Sequence, residues 1–394
     1  MPADTNRAAA PVVAASSSGS VRLVSAAGDF TALDMDWNAM AALPEPLSAF
    51  GRHEWFDAAW QWRQHTASLY VLCFYVSERL GAVLPLALRE SRARGLRVRE
   101  LTFLTVPDTQ FCDIITAEPY RASAAVAFAT ELARRANEWD VIRLKYLATG
   151  AVAVSALCAA LKKSGFTARV TAFPGNPFVR LDSSWAAYYA TRSRRLKKAN
   201  NLAANRLKRM GEIRVECLTS EPRDPTEVNR FLERAIAISA RSWKRRTGNS
   251  LDQQGPQSFI RRLSELAARE GWLSLWIMSV NGRPLAMEYQ LVAGGNVFAL
   301  RSDFDAEFEE LSPGTHLNVC MLEGLFGRGL RRYYMGPGNN AYKHRWADDV
   351  EPMQELTVYG HSLAGRAAAA WETTIKPIAV SVRDRLLRSS EPQS

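Results

Sequence analysis

The sequence predicts a mixed α/β (α+β) fold built from two copies of one unit, and three observations carry that reading. A β-hairpin occurs in each half of the chain, and each hairpin follows a helical segment. Each half then repeats further strand, a helix and another strand in the same order. The length of 394 residues suits two domains of somewhat under ~200 residues each rather than one core.

The elements follow in order. Residues 1–20 are rich in Ala, Ser and Pro, broken by Asp4 and Arg7, with no apolar run behind them, which describes a flexible tail and not a signal peptide. The first unit, 21–176, has a helix over 55–65, a strand over 69–76, a turn at Ser77-Glu78-Arg79-Leu80-Gly81 and a second strand over 82–88. A helix over 122–138 and a strand over 141–147 complete it. Turn formers cluster at Phe173-Pro174-Gly175-Asn176-Pro177 and mark the boundary. The second unit, 177–374, opens with a stretch that holds no acidic residue between Ser183 and Gly211. Arg192, Arg194, Arg195, Lys197, Lys198, Arg206, Lys208 and Arg209 supply its charge. Leu196, Ala199, Ala203, Leu207 and Met210 recur at helical spacing, so one long helix from about 184 to 210 is expected, capped by Asp182 or Ser183 and stopped by Gly211. Next come a helix over 256–269, a strand over 272–280, a turn at Asn281-Gly282-Arg283-Pro284, a strand over 285–292, a helix over 315–327 and a strand over 331–335. Residues 375–394 are expected to form a second tail.

Composition narrows the function classes. An apolar content of 47% is that of a globular protein, and no run of 18 apolar residues appears, so no membrane span is expected. The five cysteines are scattered, with no C-x-x-C pair, which suits reduced thiols and a cytoplasmic location, with peripheral attachment at the inner membrane left open. The five histidines form no ligand-like cluster, so no metal is expected. A net charge of +10 favours an anionic partner. The basic helix is either a solvated face over a buried stripe or an anion-binding surface. Aromatics do not interleave with basic residues across a sheet, and DNA is not an expected partner.

Chemistry concentrates near the C-terminus, in Ser312-Pro313-Gly314-Thr315-His316 and in the run from Gly336 to Trp346, Gly-Pro-Gly-Asn-Asn-Ala-Tyr-Lys-His-Arg-Trp. With Val76 laid on Val280, Leu84 stands where the second copy has Glu288, and the first copy has Pro107-Asp108-Thr109-Gln110-Phe111-Cys112-Asp113 in place of Ser-Pro-Gly. The first copy is therefore read as degenerate. These motifs, with the stop glycine of the basic segment and the Asn281-Gly282-Arg283-Pro284-Leu285-Ala286 hairpin, resemble the acetyltransferases of bacterial cellulose biosynthesis, the CelD/BcsL type within the GNAT superfamily. The resemblance covers most of residues 50–360, and the tandem arrangement also resembles FemAB-type peptidyltransferases. It implies tandem GNAT-like (acyl-CoA N-acyltransferase) units and acetyl-CoA, or another acyl-CoA, as co-substrate. It implies acyl transfer to a small-molecule or lipid-linked glycan acceptor, in association with envelope polysaccharide machinery. The sequence departs from the family at Asn339 and Asn340, where an acidic residue is usual, and lacks the usual pyrophosphate signature.

Acyl transfer from a thioester needs a base, an oxyanion stabiliser and a proton for the leaving thiolate. Glu288, a lone carboxylate in an apolar strand, is the expected base; the alternative is an outward-facing strand residue. Tyr342 is placed as the acid. Ser312, Gly314, Thr315, His316 and Lys343 are placed on the donor, through backbone N–H groups at the helix start, the Thr315 hydroxyl and the lysine charge. A plain helix cap is the other account of that start. Arg194, Arg195, Arg301, Asp303 and Trp346 are assigned to the acceptor, although Arg301, Asp303 and Asp305 also suit a solvated loop and Trp346 a packing role. Two other functions stay open: a FemAB-like aminoacyl transfer from charged tRNA, and a non-catalytic accessory protein of a polysaccharide synthase.

Overall fold

Thirteen strands form the framework among the residues that the computed structural model describes, which are 19–40, 47–93, 96–116, 118, 120–219 and 224–375. The expected tails at 1–20 and 375–394 lie outside them, save Gly19, Ser20 and Ile375. The strands are β1 (Ser20–Val24), β2 (Ser68–Val76), β3 (Arg79–Ala93), β4 (Leu96–Phe103), β5 (Ile115–Thr116), β6 (Val141–Ala148) and β7 (Thr167–Arg180). They continue with β8 (Ile213–Leu218), β9 (Leu273–Val280), β10 (Arg283–Ala293), β11 (Asn296–Phe304), β12 (Arg332–Tyr334) and β13 (Asp349–Tyr359). All belong to one mixed sheet in the order β1-β2-β3-β4-β6-β13-β7-β12-β11-β10-β9-β8, with β5 on β3. From either end the order is the same unit. The last strand of each unit crosses over: β13 lies on β6 and β7 lies on β12, and the two pair with each other at the centre.

The internal repeat extends to irregularities. Both hairpins turn on two residues of positive φ, Ser77 and Glu78 in one and Asn281 and Gly282 in the other, the primed geometry that suits strand twist. The pairing then skips Gly81 in the first and Leu285 in the second, each at the same offset past the turn. Downstream, Leu84 faces Leu72 and Glu288 faces Trp276, so the structure sets Leu84 at the place of Glu288. Each unit also has a short parallel pair, residues 100–102 of β4 with 141–143 of β6, and 296–298 of β11 with 332–334 of β12.

Helices cover both faces. They are α1 (Ala27–Thr31), α2 (Asp34–Ala39), α3 (His53–Arg63), α4 (Arg121–Arg134), α5 (Val152–Lys163), α6 (Trp185–Ala190) and α7 (Arg194–Met210). After them come α8 (Pro225–Ala240), α9 (Gln254–Arg269), α10 (Pro313–Leu325), α11 (Ala341–Trp346) and α12 (Leu363–Ala370). On one face α3, α8 and α9 share a core that joins both units: Trp55 of α3 meets Phe259 of α9 edge-on at 5.5 Å, and Phe50 meets Phe298 at 5.1 Å. On the other face α4 and α5 cover the first unit, and α6, α7 and α10 the second. Among the described residues no helix is long and apolar enough to cross a membrane.

Three local expectations need correction. The long basic helix is two helices, because Ser193 ends one path and caps the next, its Oγ accepting from Leu196 N at 3.2 Å. Ser184, not Asp182 or Ser183, caps α6. The turn formers at 173–177 sit inside β7, where Pro174 and Gly175 together oppose Pro352 of β13. A bulge tolerates Pro and Gly where regular pairing would not, so the cluster reads as a turn in sequence and bends a strand in the fold.

Candidate active site

Beyond residue 298 the second unit's parallel pair parts. β12 ends at Tyr334 and the chain turns through Gly336 and Gly338, both at positive φ, into α11, while β11 runs on to Phe304. The opening carries the expected base and acid. Glu288 is 2% exposed, on the face of β10 that packs against α10. Its Oε1 accepts from the Tyr333 hydroxyl at 2.6 Å and from Gln290 Nε2 at 2.8 Å. Gln290 is itself fixed, its Oε1 accepting from Ser274 Oγ and Trp276 Nε1. Burial raises the Glu288 carboxyl above its ordinary 4.5, while the bonds from Tyr333, Gln290 and Ser302 pull the other way. The outward-facing alternative for Glu288 is thereby removed.

Tyr342, on the first turn of α11, is 48% exposed, yet crowding around its hydroxyl and the charge of Glu288 push its pKa up to about 12. Lys343 beside it is buried. Its Nζ donates to the carbonyls of Gly336 at 2.7 Å and Pro337 at 3.3 Å, and burial, with Lys244 second, lowers its pKa to about 8. A loop of the first unit closes the rear of the opening: Gln110 Nε2 donates to the Ala299 carbonyl of β11 at 2.7 Å and Gln110 Oε1 accepts from Asn176.

The helix start lies at the end of β11, where a Cβ on Gly314 would rest 3.4 Å from the Phe304 ring. Ser312 holds a left-handed conformation that ends the preceding turn and begins α10, with Pro313 in the first helical position. The N–H groups of Thr315 and His316 donate to the Ser312 carbonyl at 3.1 and 3.3 Å. Of the three backbone donors assigned to a phosphate, Gly314 N–H is the one without a protein acceptor among the described residues. His316 Nε2 lies 3.8 Å from Cys320 Sγ, and burial lowers its pKa.

The residues assigned to the acceptor scatter. Arg194 and Arg195 are exposed on the first turn of α7. Arg301 and Asp303 are 1% and 2% exposed, so the solvated-loop expectation fails for both. Arg301 pairs with Asp108 of the first unit at 2.7 Å, and Asp303 with Lys244 at 2.6 Å and Ser239 Oγ at 2.6 Å. Asp305, also expected in solvent, is buried against Arg241 at 2.7 Å. Trp346 packs in the core shared by α6, α7 and α10, and its carbonyl accepts from Tyr188 and Arg192. Sequence reading missed Tyr333 and Lys244. The signal for Tyr333 is alternation, which turns it to the Glu288 face and Tyr334 to the other; Lys244 carries no local signal.

Residues 193–344 match the family model of the acetyltransferase (GNAT) domain. The GNAT match runs from the cap of α7 into α11 and so contains Glu288, Tyr333, Tyr342, Lys343 and the start of α10. The fold is similar to that of a conserved protein of unknown function from Bacteroides thetaiotaomicron VPI-5482, with 9% identity over 86% of this chain and 99% of that one and a TM-score of 0.51. FemX (12% identity, 84% and 96% coverage, TM-score 0.49) and the tandem GNAT protein of the clavulanic acid biosynthesis pathway (11%, 88% and 99%, 0.45) also match. At such identities the likeness is one of fold. No curated protein sequence matches. The mixed α/β fold class expected from the sequence is the observed one.

Proposed function

We propose that this protein is an acyltransferase that moves an acyl group, acetyl in the simplest case, from acyl-CoA to an amine or hydroxyl of a polysaccharide or envelope precursor, at the second unit alone. One observation carries the reading: a buried carboxylate, Glu288, held by Tyr333 beside the opening between β11 and β12, where the first unit has Leu84. A carboxyl raised by burial suits a base that accepts the acceptor's proton, directly or through one water. Tyr342, held protonated at neutral pH, suits the acid that restores the thiol. The donor's phosphates are assigned to the start of α10, at Gly314 N–H and the Thr315 hydroxyl, with Lys343 charge nearby. The GNAT match over these residues supports acyl-CoA as donor. The envelope acceptor and the CelD/BcsL assignment rest on the motif resemblance.

The test is thiol release from acetyl-CoA against amine- and hydroxyl-bearing sugars, wild type beside Glu288→Gln. Loss of turnover with retained donor affinity supports the assignment; equal turnover removes it. A second reading, aminoacyl transfer from charged tRNA, draws on the exposed cations of α7. Binding of tRNA that weakens steeply with salt, with no acetyl-CoA binding, would favour it.

A further inference from the structure

The first unit has an opening of its own. Past the parallel pair of β4 and β6, on the α3 side of the sheet, lies a cavity of about 170 Å³. Arg63, Arg89, Arg143 and Lys145 line it, and no lining residue is acidic. Arg89 and Arg143 are each bonded through Nε to Glu100 at 2.9 Å, and Arg143 also reaches Glu355 at 2.9 Å and Glu372 at 2.7 Å. Arg63 and Lys145 have no carboxylate partner among the described residues. Arg63 donates Nε to the Thr105 carbonyl at 2.7 Å, which leaves both terminal nitrogens for another acceptor. Burial first, then the nearby charge of Arg89, lowers its pKa.

A strained residue completes the wall. Tyr146 has a φ of 63°, a region that a bulky side chain seldom occupies and that collects at binding sites. Its carbonyl accepts from Cys112 N at 2.8 Å and its ring meets Phe173 edge-on at 5.1 Å, so the strain is held from two sides. Its hydroxyl, like that of Thr102 and the ammonium of Lys145, has no hydrogen-bond partner among the described residues. The volume suits about six waters at ~30 Å³ each. Planar guanidinium forks favour an oxyanion over water.

We infer that this cavity binds a phosphate group, held by the free nitrogens of Arg63 and by Lys145, with the Tyr146 and Thr102 hydroxyls donating. The phosphate is either free or the terminal group of a phosphomonoester whose remainder stays outside; a whole nucleotide does not fit within the cavity. The inference stands on first-unit residues alone and is independent of acyl transfer at the second.

The test is calorimetric titration of the full-length protein, at constant ionic strength, with inorganic phosphate and separately with glucose 1-phosphate. One phosphate per chain is expected, with affinity weakened about tenfold or more in Lys145→Gln and in Arg63→Gln and unchanged in Lys163→Gln on the outer face of α5. Tighter binding of glucose 1-phosphate would identify a ligand-borne phosphate, and binding of inorganic phosphate alone a free one; both uphold the site. Absence of saturable binding, equal weakening in Lys163→Gln, or unchanged affinity in Lys145→Gln overturns it. Lys145 makes no bond that folding needs, so that variant stays informative if Arg63→Gln fails to fold.

Discussion

Glu288 and Lys343 show how a residue's neighbours set its chemistry. Replacing Glu288 by Gln keeps its shape and its bond to Tyr333 and removes only the carboxylate proposed as the base, so turnover is expected to fall by about two to four orders of magnitude with donor affinity nearly constant. Comparing steady-state turnover with acetyl-CoA affinity checks this, and a matched loss in both would mean that Glu288 supports the fold. Lys343 gives a pH signature. The unfolded chain holds this proton up to the ordinary 10.5, and the folded chain releases it near 8. Between those values the unfolded state binds more protons, so this group makes stability rise with pH from about 8 to 10.5 and adds no slope below. Lys343→Met is expected to remove that rise, measured as the difference in unfolding free energy between about pH 8 and pH 10; an identical slope would place the ammonium in water. Glu288 was legible because a lone carboxylate stands out in an apolar strand. Arg301 and Asp303 were not, because a first-unit loop and Lys244, both remote in sequence, bury them.

Elements owe their ends to contacts of the same kind. Gly211 terminates α7 at φ 152°, and a Cβ there would fall about 2.0 Å from the Asn281 amide. That amide donates to the Met210 carbonyl at 3.0 Å and accepts from Glu212 N at 3.0 Å, so the hairpin turn clamps the helix end. Gly211→Ala is expected to cost about 2 kcal/mol or more in chemical denaturation, and less in an Asn281→Ala background. Additive losses would show that the clamp does not exist. At α10, Gly314→Leu adds bulk at the helix start beside Phe304 and is expected to weaken acetyl-CoA far more than it lowers the melting temperature. Helix and hairpin periodicity made most element centres legible. The break at Ser193 was hidden because it depends on Arg192, whose guanidinium reaches the Trp346 carbonyl at 2.7 Å and Asp348 at 2.8 Å.

At the scale of the molecule, the repeat was visible in the sequence but the exchange of β7 and β13 was not, since hydrophobic pattern reports which face a strand buries and not which neighbour it takes. The exchange leaves each unit dependent on the other's last strand, and the α3–α9 core joins them on one face. One cooperative thermal transition is therefore expected, and fragments 19–182 and 183–375 are expected to fold only when produced together; two independent transitions would contradict this. The two units are alike in strand order and unlike at position 84 against 288 and at the helix start. The most direct measurement is the stoichiometry of acetyl-CoA bound by the intact chain, by calorimetry, in the wild type and in Gly314→Leu. One donor per chain, lost in Gly314→Leu and kept in Lys145→Gln, is the expected result. Two donors per chain, none, or one that survives Gly314→Leu would contradict a single acyl-transfer site in the second unit.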